Sequence, residues 1–218
     1  MRQAGPLQAI EHYNDPDAKW VILFHGFGAD AADLAGLVDL FHFSKPCNWL
    51  FPNGPMSVDI GGGFTGRAWW SIKMSELEGD WSDRRPPELT GVREKVFKMM
   101  NSMKFDWKNT IIGGFSQGAM LATEVFLEAP ETPAGLICLS GKLLSRPDWA
   151  KAVANRKGSQ VFLSHGEADQ VLPHKGSVKL QQFFEENGIK TQFASFRGGH
   201  EIPMQVIEKM KSYIGERL

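Results

Sequence analysis

Three side chains in this 218-residue chain have types and spacing suited to nucleophilic catalysis: Ser116, Asp169 and His200. Ser116 lies in Gly114-Phe115-Ser116-Gln117-Gly118, a G-x-S-x-G pentapeptide. In a chain with 23 glycines that motif alone is weak evidence, and an incidental Gly/Ser turn competes with it. Its setting adds weight. Thr110-Ile111-Ile112 reads as a strand and Gln117 opens an apolar helix, so the serine falls on a tight strand-to-helix turn that raises its hydroxyl above a sheet. The helix start also turns amide donors and a positive dipole end toward the reacting atom. A serine hydroxyl needs a base to take its proton, and the base needs an orienting acid. Nucleophiles on such turns are followed in the chain by the acid and then the histidine, at the ends of later strands. Asp169 follows the apolar run Val161–Leu163, and His200 follows the run Thr191–Phe196. Glu167, two residues from Asp169, is the rival acid.

Acyl transfer further requires backbone N–H groups aimed at a developing oxyanion, one after the nucleophile and one from an early strand-to-helix loop. Gln117 supplies the first. Phe27, in Leu23-Phe24-His25-Gly26-Phe27-Gly28, is the choice for the second. A phosphate cradle is the competing reading of those glycines, but the chain lacks G-x-x-x-x-G-K-[ST], and no G-x-G-x-x-G follows this strand. The remaining histidines have plain readings. His12 and His42 are surface or half-buried, His174 is solvated at a helix start, and His165 supports the acid-bearing turn. Helical His pairs and Cys/His clusters are absent, so no metal and no cofactor is expected.

The elements that must position these residues are short strands alternating with amphipathic helices. Trp20–Phe24, Thr110–Ile112, Gly135–Leu139 and Val161–Leu163 are nearly continuous apolar runs, as expected of strands covered on both faces of a parallel sheet. Cys47–Phe51 and Thr191–Phe196 are weaker candidates. Leu7–Tyr13 alternates and fits an antiparallel edge strand turning back through Asn14-Asp15-Pro16 into the next strand. Helical spacing is seen in Leu89, Val92, Val96, Met99 and Met103, in Ala119, Ala122, Phe126 and Ala129, and in Val206, Ile207, Met210 and Ile214. The expectation is an α/β fold over residues 1–218 as a single domain, with helices on both faces of a mostly parallel central sheet. Only about 20 residues separate Ser140 from Gln160, enough for one ordinary crossover, so no cap domain is expected. The Gly- and Pro-rich stretch from Phe51 to Ser71 reads as an ordered loop on the rim of a site.

Composition excludes several classes. Hydrophobic residues make up 42% and charged residues 22%, with 15 Phe and 7 Trp for a core, so the chain is globular rather than disordered. Lys and Arg total 24 against 25 Asp and Glu, a formal charge of −1, which removes the electrostatic driver of nucleic-acid binding. Cys47 and Cys138 read as reduced core thiols. The first residues lack a signal-peptide stretch and no run approaches a membrane span, so a cytoplasmic location is expected.

Six motifs occur in one order: His25-Gly26-Phe27-Gly28, Phe51-Pro52-Asn53-Gly54-Pro55, Arg67-Ala68-Trp69-Trp70, Gly113 through Gly118, His165-Gly166-Glu167-Ala168-Asp169, and Gly199-His200. Together they resemble the phospholipase/carboxylesterase family of small α/β-hydrolases, which includes acyl-protein thioesterases. The resemblance runs from about Trp20 to the C-terminus. It implies the α/β-hydrolase fold, Ser116 as nucleophile, Asp169 and His200 as its partners, and the amides of Phe27 and Gln117 as oxyanion hole. It also suggests that the Trp69-Trp70 loop lines the acyl site. Trp70 stands where the family pattern has Phe or Tyr, which adds bulk and bears on acyl length. The expected apolar wall is therefore Trp69, Trp70 and Phe64. The expected reaction is hydrolysis of short to medium acyl esters, a small-molecule ester or thioester being the partner. Acyl-protein thioesterase and lysophospholipase are alternatives within the family. A serine peptidase and a non-catalytic binding protein of the same fold stand further off.

Overall fold

The computed structural model describes residues 1–72 and 79–218. Its strands are β1 (Arg2–Ala4), β2 (Leu7–His12), β3 (Lys19–Phe24), β4 (Cys47–Pro52), β5 (Met56–Gly61), β6 (Phe64–Ala68), β7 (Thr110–Phe115), β8 (Gly135–Leu139), β9 (Gln160–Gly166) and β10 (Lys190–Phe196). Its α-helices are α1 (Ala31–Ala35), α2 (Leu89–Met103), α3 (Gln117–Glu128), α4 (Arg146–Ala152), α5 (Lys175–Glu186) and α6 (Met204–Gly215). Eight strands form one sheet in the order β1-β2-β4-β3-β7-β8-β9-β10. The pairs β1/β2 and β2/β4 are antiparallel, and the rest from β4 onward are parallel.

Alternation along the strands explains the two layers of helices. Successive side chains point to opposite faces, so a continuous apolar run presents an apolar surface on both sides. Ile22 and Phe24 pack with α2, α3, α4 and α5, whereas Val21 and Leu23 pack with α1 and α6. Helix α3 lies buried along nearly its whole length, and its one buried carboxylate, Glu124, is neutralised locally. Arg85 reaches it at 2.7 Å, Arg93 at 3.1 Å and the Trp149 indole N–H at 2.7 Å. Those contacts tie α3 to α2, to the segment before α2 and to α4, which compensates the cost of an interior charge.

Two expectations about the connections change. β2 does not turn back onto β3, because β4 is inserted between them and pairs with both. The segment after β4 is a two-stranded hairpin, β5–β6, rather than a loop without regular structure. The glycines that obscured it, Gly61, Gly62 and Gly63, all have positive φ and form its turn. The β8-to-β9 crossover holds α4 and a short 3₁₀ turn, with no cap domain. Cys47 and Cys138 are free and buried, and burial pushes both thiols up to about 12. Among the described residues no helix is long and apolar enough to cross a membrane.

Candidate active site

Parallel strands that share a direction end on the same edge of the sheet, and the turns after β3, β7, β9 and β10 all meet there. Ser116 occupies the turn after β7 with φ 55° and ψ −115°, outside the regions an L-residue ordinarily adopts. Its N–H donates to Leu139 C=O at 2.8 Å, so the end of β8 holds the turn in place. Asp169 follows β9. Its Oδ1 accepts from the N–H groups of Val171 and Leu172, each at 2.8 Å, which curls the loop around the carboxylate. His200 follows β10 and places Nδ1 2.6 Å from Asp169 Oδ2, leaving Nε2 as the acceptor of the ring. Its ring also packs against Phe115, with centroids 4.7 Å apart.

The acid and histidine loops lock together through backbone. Glu167 N–H donates to Phe196 C=O at 2.8 Å and Ala168 N–H to Gly198 C=O at 2.9 Å. A Cβ on Gly166 would stand 2.2 Å from Gly199 C=O, so the loops can approach this closely only with glycine there. Burial alone would raise the Asp169 carboxyl. The hydrogen bonds from His165, His200 and the Leu172 N–H outweigh it and hold the group well below the usual carboxylate range. Glu167, the rival acid, instead accepts from the Ser195 hydroxyl at 3.1 Å.

The oxyanion candidates have identifiable supports. His25 is buried, its Nε2 accepts from Gly54 N–H at 2.9 Å, and Nδ1 therefore carries the hydrogen that is donated to Gly26 C=O at 2.7 Å. In a trans peptide the next N–H runs opposite to that carbonyl, so tying down Gly26 C=O orients the Phe27 N–H away from His25. Burial lowers the pKa of His25, which favours the neutral ring this arrangement needs. Gln117 is the first residue of α3, and its N–H has no acceptor within the helix.

Ser116, His200, Phe27 and Gln117 line one cavity of about 320 Å³, together with Phe115, Ile72, Met120, Val171 and Leu172. Asp33 stands among the lining residues, its carboxyl raised by burial and by the neighbouring Asp30. The expected wall is not there. Trp69 and Trp70 are both 0% exposed, and neither they nor Phe64 belong to the described lining. Their backbone explains it. Gln117 Oε1 accepts from Trp69 N–H at 3.0 Å and Gln117 Nε2 donates to Trp70 C=O at 2.8 Å, which draws this segment beneath the start of α3. The Trp69 indole donates to His25 C=O at 2.9 Å, supporting the Phe27 loop from behind. Trp70 lines a separate pocket with Trp81, Arg84 and Pro86. Phe64 is 70% exposed at the start of β6. Met120 could have been found from the sequence, standing one helical turn after Ser116. Val171 and Leu172 adjoin the acid, whereas Ile72 and Asp33 left no local signal.

The Gln117 side chain thus has a structural duty besides its backbone donor. Gln117→Ala orphans a buried N–H and a buried C=O, and we expect it to lose about 2–4 kcal/mol of stability. The folded fraction should keep most of its kcat, since the amide remains. Urea unfolding beside kcat normalised to folded protein checks both; unchanged stability would mean that the Trp69-Trp70 segment is held by other contacts.

His174 corrects a smaller expectation. It is half-buried rather than solvated, stacked on Phe193 at 5.6 Å, with Nε2 2.9 Å from Ser195 Oγ.

A mostly parallel eight-stranded sheet with an antiparallel margin and helices on both faces, bearing these residues on its strand-end turns, defines an α/β-hydrolase. The phospholipase/carboxylesterase family model matches residues 6–217. The chain belongs to that family, whose members are serine hydrolases of ester and thioester bonds. It is 32% identical to acyl-protein thioesterase 1 homolog 1 of Dictyostelium discoideum over 209 residues, covering 91% of this chain and 90% of the relative. Acyl-protein thioesterase 1 of Kluyveromyces lactis is 26% identical over 98% of this chain and 99% of its own. Among solved structures, esterase PE8 superposes with a TM-score of 0.80 at 27% identity, covering 97% of this chain and 99% of that one. The Bacillus cereus carboxylesterase shares the fold at a TM-score of 0.73 and 17% identity, covering 97% of this chain and 95% of its own.

Proposed function

We propose that this protein is a serine carboxylesterase that hydrolyses short to medium acyl esters through an acyl-enzyme. The observation that carries the reading is the 2.6 Å contact between His200 and Asp169, with His200 and Ser116 lining one largely apolar cavity. His200 Nε2 takes the Ser116 proton as Oγ attacks the ester carbonyl. The oxyanion that develops is met by the amides of Phe27 and Gln117, and His200 returns the proton to the departing alcohol. Water activated by His200 then attacks the acyl-serine, releases the acid and restores the enzyme. Asp169 holds the histidine in the tautomer with Nδ1–H throughout.

The cavity wall limits the acyl group. Each methylene buried against Ile72, Met120 and Leu172 adds up to about 0.8 kcal/mol, roughly fourfold in kcat/KM, until the chain meets the wall. Across p-nitrophenyl esters from acetate to laurate, kcat/KM should climb and then level off at medium chains. Met120→Phe, which fills the cavity, should move that plateau to shorter chains. A second reading, acyl-protein thioesterase, is favoured by the names of the relatives at 26–32% identity. Matched oxyesters and thioesters separate the two. A rate still rising at palmitoyl, with S-palmitoyl peptide preferred over every simple ester, would replace the carboxylesterase reading.

A further inference from the structure

Asp169 Oδ2 is shared by two imidazoles. His200 Nδ1 approaches it at 2.6 Å and His165 Nε2 at 3.1 Å. His165 lies at the end of β9, is 0% exposed, and is not among the described residues lining the Ser116 cavity. It meets oxygen on every side. Nε2 also lies 2.7 Å from Leu172 C=O, Nδ1 lies 2.5 Å from Ser177 Oγ, and that hydroxyl lies 2.5 Å from Gly141 C=O.

Counting hydrogens fixes what the ring must carry. The Asp169 carboxylate and the Leu172 carbonyl only accept, so Nε2 holds a hydrogen. Gly141 C=O also only accepts, so the single Ser177 hydroxyl proton goes to it. Ser177 Oγ is then left as an acceptor for Nδ1, which therefore holds a hydrogen as well. A ring with one proton would set two lone pairs face to face in a site closed to water, the arrangement that buried polar groups avoid.

We propose that His165 is an imidazolium, charge-balanced by Asp169, and that it acts as a positioning residue that sets the pH at which His200 becomes a competent base. The role, though not the charge, rests on Ser116, His200 and Asp169 being the catalytic unit. Charged and titratable groups stand on the elements packed around His165. Asp169 comes from its own loop, and His200 comes from the turn after β10 across the shared carboxylate. His174, just before α5, is edge-on with centroids 5.7 Å apart. Lys142 follows Gly141, with its ammonium 4.6 Å from the Trp81 ring centroid. Burial, and then the charge of His165, lower the pKa of His174, against the opposing pull of Glu167 and Asp169.

The sign of the coupling follows from like charges. A cationic His165 opposes protonation of His200, so its removal lets His200 hold a proton more tightly and act as base only at higher pH. His165→Gln deletes the charge and keeps an N–H for the carboxylate. The acid limb of kcat/KM against pH should then move up by about one unit, with KM unchanged. A uniform loss of kcat with the limb unmoved would overturn the proposed coupling. The charge itself is read on the wild-type protein by ¹⁵N–¹H spectra of histidine-labelled enzyme near neutral pH. Both His165 nitrogens should show protonated-type resonances, assigned by their loss in His165→Gln or their displacement in Ser177→Ala. An unprotonated His165 nitrogen would overturn the imidazolium, even if His165→Gln failed to fold. Because the spectra need no substrate, an enzyme without esterase activity would fail the functional reading while its resonances still reported the charge on His165.

Discussion

Ser116→Ala is expected to lower kcat by about 10⁴–10⁶-fold, because the remaining groups can still polarise a carbonyl but nothing attacks it. The fold should survive. The Ser116 N–H that bonds Leu139 C=O belongs to the backbone, and Ala tolerates φ 55° no worse than Ser does. Covalent labelling by a fluorophosphonate reports on the same atom independently of substrate choice, and it too should vanish. A folded Ser116→Ala protein that retains wild-type hydrolysis, or still takes the label at this turn, would remove Ser116 from the mechanism and leave the cavity without a nucleophile.

The second large effect concerns a residue that touches no substrate. A Cβ on Gly118 would lie 2.0 Å from the Phe24 carbonyl oxygen and 2.6 Å from that of His25. Both obstacles are backbone at the end of β3, so no side chain can swing aside. Gly118→Ala must lift the first turn of α3 off the sheet, and that turn carries both Ser116 and the Gln117 N–H. We expect at least about 3 kcal/mol of destabilisation, with a further loss of about 10²-fold or more in kcat for the molecules that fold. Gly91→Ala provides the control. It sits exposed on α2 with nothing within 4 Å of its Cβ position, and should stabilise by about 0.5–1 kcal/mol. Urea unfolding of both variants decides the matter, since a Gly118→Ala protein as stable and active as wild type would contradict the close seating of α3 on β3.

Much of this architecture is legible in local pattern, for a physical reason. A strand covered on both faces must be apolar at every position, so β3, β7, β8 and β9 announce themselves as short unbroken runs. A helix covering them must repeat every three or four residues, as α2, α3 and α6 do. Once strands and helices alternate, parallel connection places the turns after β7, β9 and β10 on one edge. Ser116, Asp169 and His200 could therefore be put on the same side of the sheet from their order alone. The β5–β6 hairpin was harder, because its glycines and Pro55 also suit an irregular loop, and its pairing depends on the register of two strands. The insertion of β4 between β2 and β3 was likewise invisible, since strand order depends on which edge offers free hydrogen-bonding groups.

Side-chain direction lay further out of reach. Trp69 and Trp70 are aromatic, adjacent and near the site, yet their orientation is set by Gln117 and, for Trp69, by the His25 carbonyl, partners 44–48 residues away. The wall of the Ser116 cavity gathers Ile72, Met120, Val171 and Leu172 from three separate stretches of chain. His165 shows the boundary within a single residue. Proximity in the chain places it beside the acid turn, because β9 runs straight into that loop. Its second proton depends on Ser177 from α5 and Gly141 from the end of β8, two oxygens that reach the ring only after the helix has packed onto the sheet. Types and periodicities are properties of neighbouring residues, so they survive in the sequence. Hydrogen-bond direction, burial and charge state are set by groups brought together across the fold, and they come into being with it.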